Sequence, residues 1–167
     1  MCGRSFSGKS TVAGQLALKL DAEIVSLDSI NEERGLFGGQ GIPVEEWIRT
    51  NDEATRRASR LLRDGRHVVV DDTSSPRFLR DNWRAVAEDA AVAFVLVYVD
   101  ATDQVRRERL LNNREESKRN DVLDEVMIEH LETFKPPEPD EEYITTSSSA
   151  EEMSSLIAAV RLVISHA

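Results

Sequence analysis

Gly3-Arg4-Ser5-Phe6-Ser7-Gly8-Lys9-Ser10-Thr11 is the stretch on which the reading of this chain turns. It fits G-x-x-x-x-G-K-[ST], a tight turn whose backbone N–H groups converge on phosphate oxygens. Gly3 and Gly8 let the main chain bend closely enough. Lys9 is placed to reach β- and γ-phosphates, and the Ser10 hydroxyl to ligate Mg²⁺, with Ser5, Phe6, Ser7 and Thr11 completing the cradle. Glycine-rich turns match such a pattern by accident now and then, so the flanks decide. Val12, Ala13, Leu16, Ala17 and Leu20 recur at helical spacing directly after Lys9. An amphipathic helix therefore starts where the phosphates would sit. Only Met1 and Cys2 precede the loop, whereas a buried strand normally leads into it. The first strand is expected to be missing.

The rest of the chain alternates helical and strand patterns. Ala22 to Leu27 reads as a strand ending at Asp28, and Asn31 to Pro43, rich in glycine and charge, as a mobile loop. A helix follows from about Val44 or Asn51 to Asp64, with Ala54, Ala58, Leu61 and Leu62 inward and Gly65 just past its end. His67 to Val70 is a strand closing on Asp71-Asp72. Ser75-Pro76 reads as an N-cap and first helical residue of a helix to about Glu88. Ala91 to Val99 is the longest apolar run, suited to a strand buried on both faces and closed by Asp100. A charged helix carries Val105, Leu110 and Leu111. It is interrupted around Asn112 to Asn120, and another helix runs from Val122 to Phe134. Lys135 to Pro139 cannot be helical. Glu142 to Thr146 is a last strand, and Ser149 with Glu152 is a capping box opening the final helix. The order predicts an α/β three-layer fold with a parallel sheet.

At 167 residues, with 40% apolar and 31% charged residues, the chain fits one domain, 1–167, with a proper core. A single cysteine, Cys2, excludes an intramolecular disulfide and fits a reducing cytoplasm. Neither a signal peptide nor an 18-residue apolar run is present, so membrane insertion is not expected. The net charge of −10 opposes broad nucleic-acid binding. The histidines His67, His130 and His166 lack metal-ligand spacing.

Ligands of open α/β sheets bind outside the carboxyl ends of the strands, where Asp28, Asp71, Asp72 and Asp100 stand. Phosphoryl transfer needs Mg²⁺ held near the loop serine and a carboxylate beside the attacking hydroxyl, tasks that two aspartates can share. Arg77, Arg80 and Arg84 fall on one helix face and read as solvated more readily than as anion contacts. Trp47 with Ile48 reads equally as a pocket border or as the core anchor of its helix.

The chain resembles the P-loop kinases of the polynucleotide kinase, zeta-toxin and seryl-tRNA kinase type, which include many small bacterial kinases of unknown substrate. The resemblance rests on Gly3 to Thr11, Ser26-Leu27-Asp28-Ser29, Val68 to Thr73, Val97 to Asp100, and the arginine-rich stretch leading to Asp124-Glu125-Val126. It implies a P-loop NTPase fold and an ATP- and Mg²⁺-dependent kinase. In such kinases the aspartate at the Asp28 position orients or deprotonates the acceptor hydroxyl. Asp71 or Asp72, with Ser10, serves the metal, and Thr73 is a neighbour. Residues 106–120 correspond to a lid, with Arg114 and Arg119 reaching the phosphates and Arg106 and Arg109 on the helix leading in. Leu123 stands where a proline often precedes the Asp-Glu pair, which leaves the lid register open.

These readings converge on an ATP-dependent phosphotransferase acting on a hydroxyl, with a small molecule favoured by the acidic charge. A polynucleotide or tRNA-end kinase is the first alternative, and an ATP-binding module without turnover the second. A regulatory GTPase would carry Asn-Lys-x-Asp, which is absent from the sequence. Without a leading strand, the strands at 67–71 and 92–99 must pair directly or leave buried backbone groups unpaired, each costing about 1–3 kcal/mol.

Overall fold

The computed structural model describes residues 1–37, 41–116 and 124–165. Helix α1 (Lys9–Leu20) leads to strand β1 (Ala22–Ser26) and the short helix α2 (Leu27–Glu33). Helix α3 (Val44–Arg63), strand β2 (His67–Asp71) and helix α4 (Arg77–Asp89) follow. Strand β3 (Leu96–Val99), helices α5 (Asp103–Glu116) and α6 (Asp124–Thr133), strand β4 (Tyr143–Thr146) and helix α7 (Ala150–Ile164) complete the chain. No described helix is long and apolar enough to cross a membrane.

β1 pairs in parallel with β2, and β3 with β4, as two separate ladders. What joins them is the first three residues. Cys2 lies in a parallel bridge opposite Tyr98, its N–H donating to Val97 O and its carbonyl accepting from Val99 N–H, both at 2.8 Å. On the other side Met1 N donates to Val70 O at 2.8 Å, and Gly3 N–H to Thr73 O at 3.2 Å. Direct pairing of β2 with β3, one of the two outcomes expected, therefore does not occur. A three-residue stub, Met1 to Gly3, holds their carboxyl ends apart.

Two cores form on opposite faces of this sheet. Val12 and Leu16 of α1, Val97 and Val99 of β3, and Leu156 and Val160 of α7 close one face, with Val69 against them. Val25, Leu27, Ile30, Ala54, Ala58 and Trp83 close the other, with Val68 and Val70 against them. Alternation of Val68, Val69 and Val70 between the two is the period-two rule of a strand buried on both sides. The layers are thus α1 and α7, the sheet, then α2, α3 and α4, a three-layer α/β arrangement.

Several expected boundaries move for local reasons. β1 stops at Ser26, whose Oγ accepts from Ser29 N–H at 3.2 Å and caps α2. Asp28 therefore sits in the first turn of a helix rather than at a strand tip, and Asn31 to Glu33 are helical instead of loop. Pro76, not Ser75, is the N-cap of α4, without a side-chain bond. Ser75 Oγ accepts instead from Lys135 N–H at 2.9 Å. The apolar run from Ala91 is strand only from Leu96, where β4 supplies a partner. α5 continues unbroken through Asn112 to Glu116. Residues 117–123, with Val122 and Leu123, lie outside the described residues, as do Gly38 and Gly39 of the expected mobile loop.

The arginines of α4 are not a solvated face. Arg80 is 1% exposed and its guanidinium pairs with Glu141 through Nε–Oε1 at 2.7 Å and Nη2–Oε2 at 2.6 Å. It also donates to the carbonyls of Ser74, Ser75 and Lys135. Arg77 pairs with Glu138 and Asp140, and Arg84 lies over the Phe94 ring. Arg77 and Arg80 tie the proline-rich segment 135–141 to the start of α4. The core tryptophan is Trp83, 7% exposed, not Trp47.

Candidate functional site

The loop between the stub and α1 is built by backbone geometry. Gly8 has φ +100 and is the N-cap of α1 without any side-chain cap bond, so the first N–H groups of the helix are left for a ligand. A Cβ on Gly8 would lie 2.6 Å from Ser148 Oγ and 2.8 Å from Arg109 Nη1. One on Gly3, φ +153, would lie 2.5 Å from Val99 O. Phe6 also takes a positive φ, 60, and its buried ring packs on Leu110. Lys9 Nζ donates back to Arg4 O at 3.0 Å, which holds the ammonium along the inner rim of the turn. Ser10 and Thr11 are exposed. Ser7 is 1% exposed, and its buried Oγ has no hydrogen-bond partner among the described residues.

Asp28 and Asp71 lie on adjoining elements. Ser26, the cap of the helix bearing Asp28, is in register with Asp71 across β1 and β2. Asp28 is exposed. The Asp72 carboxylate is committed to a turn, its Oδ2 accepting from Ser74 N–H at 2.8 Å and Ser74 Oγ at 2.9 Å, which supports the positive φ of Ser74. The Asp71 carboxylate makes no hydrogen bond or ion pair with the described residues. Thr73 meets the stub through its carbonyl, and Asp100 stays exposed at the end of β3.

The arginines of α5 divide sharply. Arg106 is 3% exposed and is spent on Ala101 O and Asp103. Arg109 reaches the loop: Nη1 donates to Ser7 O at 2.6 Å and Phe6 O at 3.3 Å, and Nη2 to Ser148 Oγ at 3.0 Å. Arg114 lies in the last turn of α5, not in a break, and pairs with Asp124 at 2.7 Å. Arg119 lies outside the described residues.

A family model described as an AAA domain matches residues 1–137. The chain belongs to that family. No curated protein matches the sequence. Among solved structures, Chaetomium thermophilum Kti12 in complex with ADP-AlF3 is similar at 15% identity and TM-score 0.76, over 98% of this chain and 96% of that one. A gluconokinase from Sinorhizobium meliloti 1021 is similar at 18% identity and TM-score 0.71, over 97% and 90%. The Mycobacterium tuberculosis APS kinase in complex with AMPPNP and APS is similar at 21% identity and TM-score 0.66, over 96% and 94%. These likenesses establish the P-loop NTPase fold.

The AAA domain also uses residues around the loop that sequence reading passed over. Ser148, φ 64, donates from Oγ to Ser7 O at 3.1 Å and so joins Arg109 on the same carbonyl. His130 of α6 lies 3.4 Å from Ser5 Oγ through Nδ1. The Arg4 guanidinium stands 5.0 Å over the Phe134 ring, which stacks on Tyr98. None of these contacts has a sequence signature, since each joins residues more than 35 positions apart. Cys2 behind the loop is fully buried, and burial pushes its thiol up to about 11.

Proposed function

We propose that this AAA domain is an ATP-dependent phosphotransferase that moves a γ-phosphoryl group to a hydroxyl of a small molecule. The observation that carries this reading is the uncapped N-terminus of α1 at Gly8, with Lys9 held along the loop, Asp71 at the end of β2 and Asp28 in the first turn of the helix that follows β1. Amides and Lys9 bind the triphosphate. Asp28 accepts the proton of the acceptor hydroxyl as its oxygen attacks phosphorus in line, and the bond to the β-γ bridging oxygen breaks, releasing ADP.

The donors fit Mg²⁺. It takes oxygen ligands, keeps several waters and needs only one or two protein groups beside the phosphates, and Ser10 and Asp71 are hard oxygen donors of that kind. When bound, the ion neutralises charge on the transferring phosphoryl group. Asp71 rather than Asp72 would hold it, because Ser74 occupies the Asp72 carboxylate. Arg109 orients the loop carbonyls, while Arg114 and Arg119 are the cations proposed to close over the phosphates, Arg114 by exchanging its partner Asp124. The names of the similar structures, a gluconokinase and an APS kinase, and the charge of −10 support a small-molecule acceptor over a nucleic-acid end.

The test is transfer of labelled γ-phosphate to a panel of sugars, nucleosides, aminoglycosides, RNA ends and seryl-tRNA. Incorporation into one small-molecule class is expected. Incorporation into RNA ends alone would contradict the acceptor class, and ATP binding without transfer to any acceptor would favour a module without turnover.

A further inference from the structure

The phosphate loop has two rims, and the hydrogen bonds around it tell them apart. Lys9, the residue that reaches β- and γ-phosphates, donates from Nζ to Arg4 O at 3.0 Å. Residues 4 and 5 therefore border the γ end of a bound triphosphate. Arg109 and Ser148 meet the other rim, at Phe6 O and Ser7 O. Two residues from α6 and its end meet the γ rim: His130 Nδ1 lies 3.4 Å from Ser5 Oγ, and Phe134 lies under the Arg4 guanidinium at 5.0 Å.

The imidazole is held in place through Phe134. That ring, one residue past α6 and 7% exposed, stacks on Tyr98 of β3 with centroids 6.3 Å apart and planes 14° apart. His130 stands four residues earlier, in the last turn of α6, so the anchored ring and the imidazole share a side of the helix. His130 itself is exposed and Ser5 half-buried. The Nε2 atom of His130 makes no hydrogen bond with the described residues.

The chemistry of the pair decides what Nε2 can do. When Ser5 Oγ–H donates to Nδ1, the neutral ring carries its proton on Nε2 and offers a donor at the γ rim. The opposite tautomer would turn a lone pair towards phosphate oxygens and be repelled, so a bound triphosphate selects the Nε2–H form.

We propose that His130 is a γ-phosphate contact, donating Nε2–H to a non-bridging oxygen of the γ-phosphoryl group, with Ser5 as the positioning residue that fixes its tautomer and ring. The inference rests on the nucleotide site of the phosphotransfer reading. His130 keeps its proton and forms no covalent bond. Its donor meets oxygens over which charge is spread as the phosphoryl group moves. ADP lacks those oxygens, so the contact is made with ATP and lost once the group has left.

Titration calorimetry with ADP and with the β-γ-imido analogue of ATP, both with Mg²⁺, tests this in the native chain, His130→Asn, His130→Gln and Ser5→Ala. Asparagine carries its amide nitrogen at the reach of Nδ1 and glutamine at that of Nε2, so glutamine keeps the contact and asparagine does not. His130→Asn is expected to weaken the analogue roughly ten-fold and ADP by less than about two-fold. His130→Gln should recover most of that loss, and Ser5→Ala should show a smaller loss of the same kind. Retained ADP affinity reports that each variant is folded. Equal weakening of both nucleotides would make His130 a structural tie between α6 and the loop, and unchanged affinity for both would mean no contact. Either result overturns the proposal. A chain that discriminates the two nucleotides through His130 yet transfers phosphate to no acceptor would remove the phosphotransfer reading and leave the contact standing. A native chain that binds neither nucleotide would remove both.

Discussion

The nitrogen of Met1 donates to the carbonyl oxygen of Val70 at 2.8 Å, which seats the neighbouring Cys2, fully buried, between β2 and β3. Burial raises its thiol from 9.0 to about 11. The unfolded chain therefore binds fewer protons than the folded one between about pH 9 and 11. Stability contributed by Cys2 is present below pH 9 and lost as pH rises. Urea midpoints at constant ionic strength should fall between about pH 9 and 11, and Cys2→Ala should flatten that fall. A profile unchanged by the substitution would contradict the burial of the thiol.

Gly8 tests the loop without touching a catalytic group. Its φ of +100 and the closeness of Ser148 Oγ and Arg109 Nη1 leave no room for a side chain. Gly8→Ala should cost about 1–3 kcal/mol of stability and reduce ATP binding below detection by calorimetry. Retained affinity would mean that the loop conformation is not the one that binds phosphate.

Arg109 is expected to matter for nucleotide affinity although it was assigned only to the approach of the lid. Arg109→Ala removes three hydrogen bonds, to Ser7 O, Phe6 O and Ser148 Oγ. It should weaken ATP binding by roughly ten-fold, about 1.4 kcal/mol, with a small change in thermal midpoint. Arg106→Ala should do the reverse, lowering the midpoint through its lost buried bonds and leaving affinity nearly unchanged.

The Arg80–Glu141 pair is the largest buried polar element away from the loop. Removing one partner strands a buried charge, so Arg80→Ala or Glu141→Ala should cost about 3–5 kcal/mol, and Arg80→Met with Glu141→Leu much less. Arg80 holds the Glu141 carboxyl below its ordinary 4.5. That contribution is present above pH 4.5 and lost as pH falls through the lower folded value. Chemical denaturation of the four proteins at pH 7 and pH 3.5 checks both statements.

The phosphate-loop motif and the parallel α/β layering were legible because each is a local pattern: a motif or a period. The AAA-domain match over residues 1–137 and the shared fold agree with that reading. What escaped was set by distance. Arg80 looks like any arginine on a charged helix until Glu141 arrives from the proline-rich segment. Ser148 reaches the loop from 141 positions away, and Asp28 is helical because of one serine cap. The run Ala91 to Val99 carries full strand propensity, yet its first part is not strand, since a strand needs a partner and the pairing with β4 begins at Leu96 opposite Tyr143.

If Asp28 and the loop together transfer phosphate, removing the carboxylate must slow transfer without weakening ATP binding. Using whichever acceptor the panel yields, single-turnover transfer of labelled γ-phosphate is measured for the native chain and Asp28→Asn, with ATP affinity determined alongside. Loss of the positioned base should slow transfer by roughly 10²–10⁴-fold while ATP binds as before. Transfer at the native rate in Asp28→Asn would mean that Asp28 is not the base.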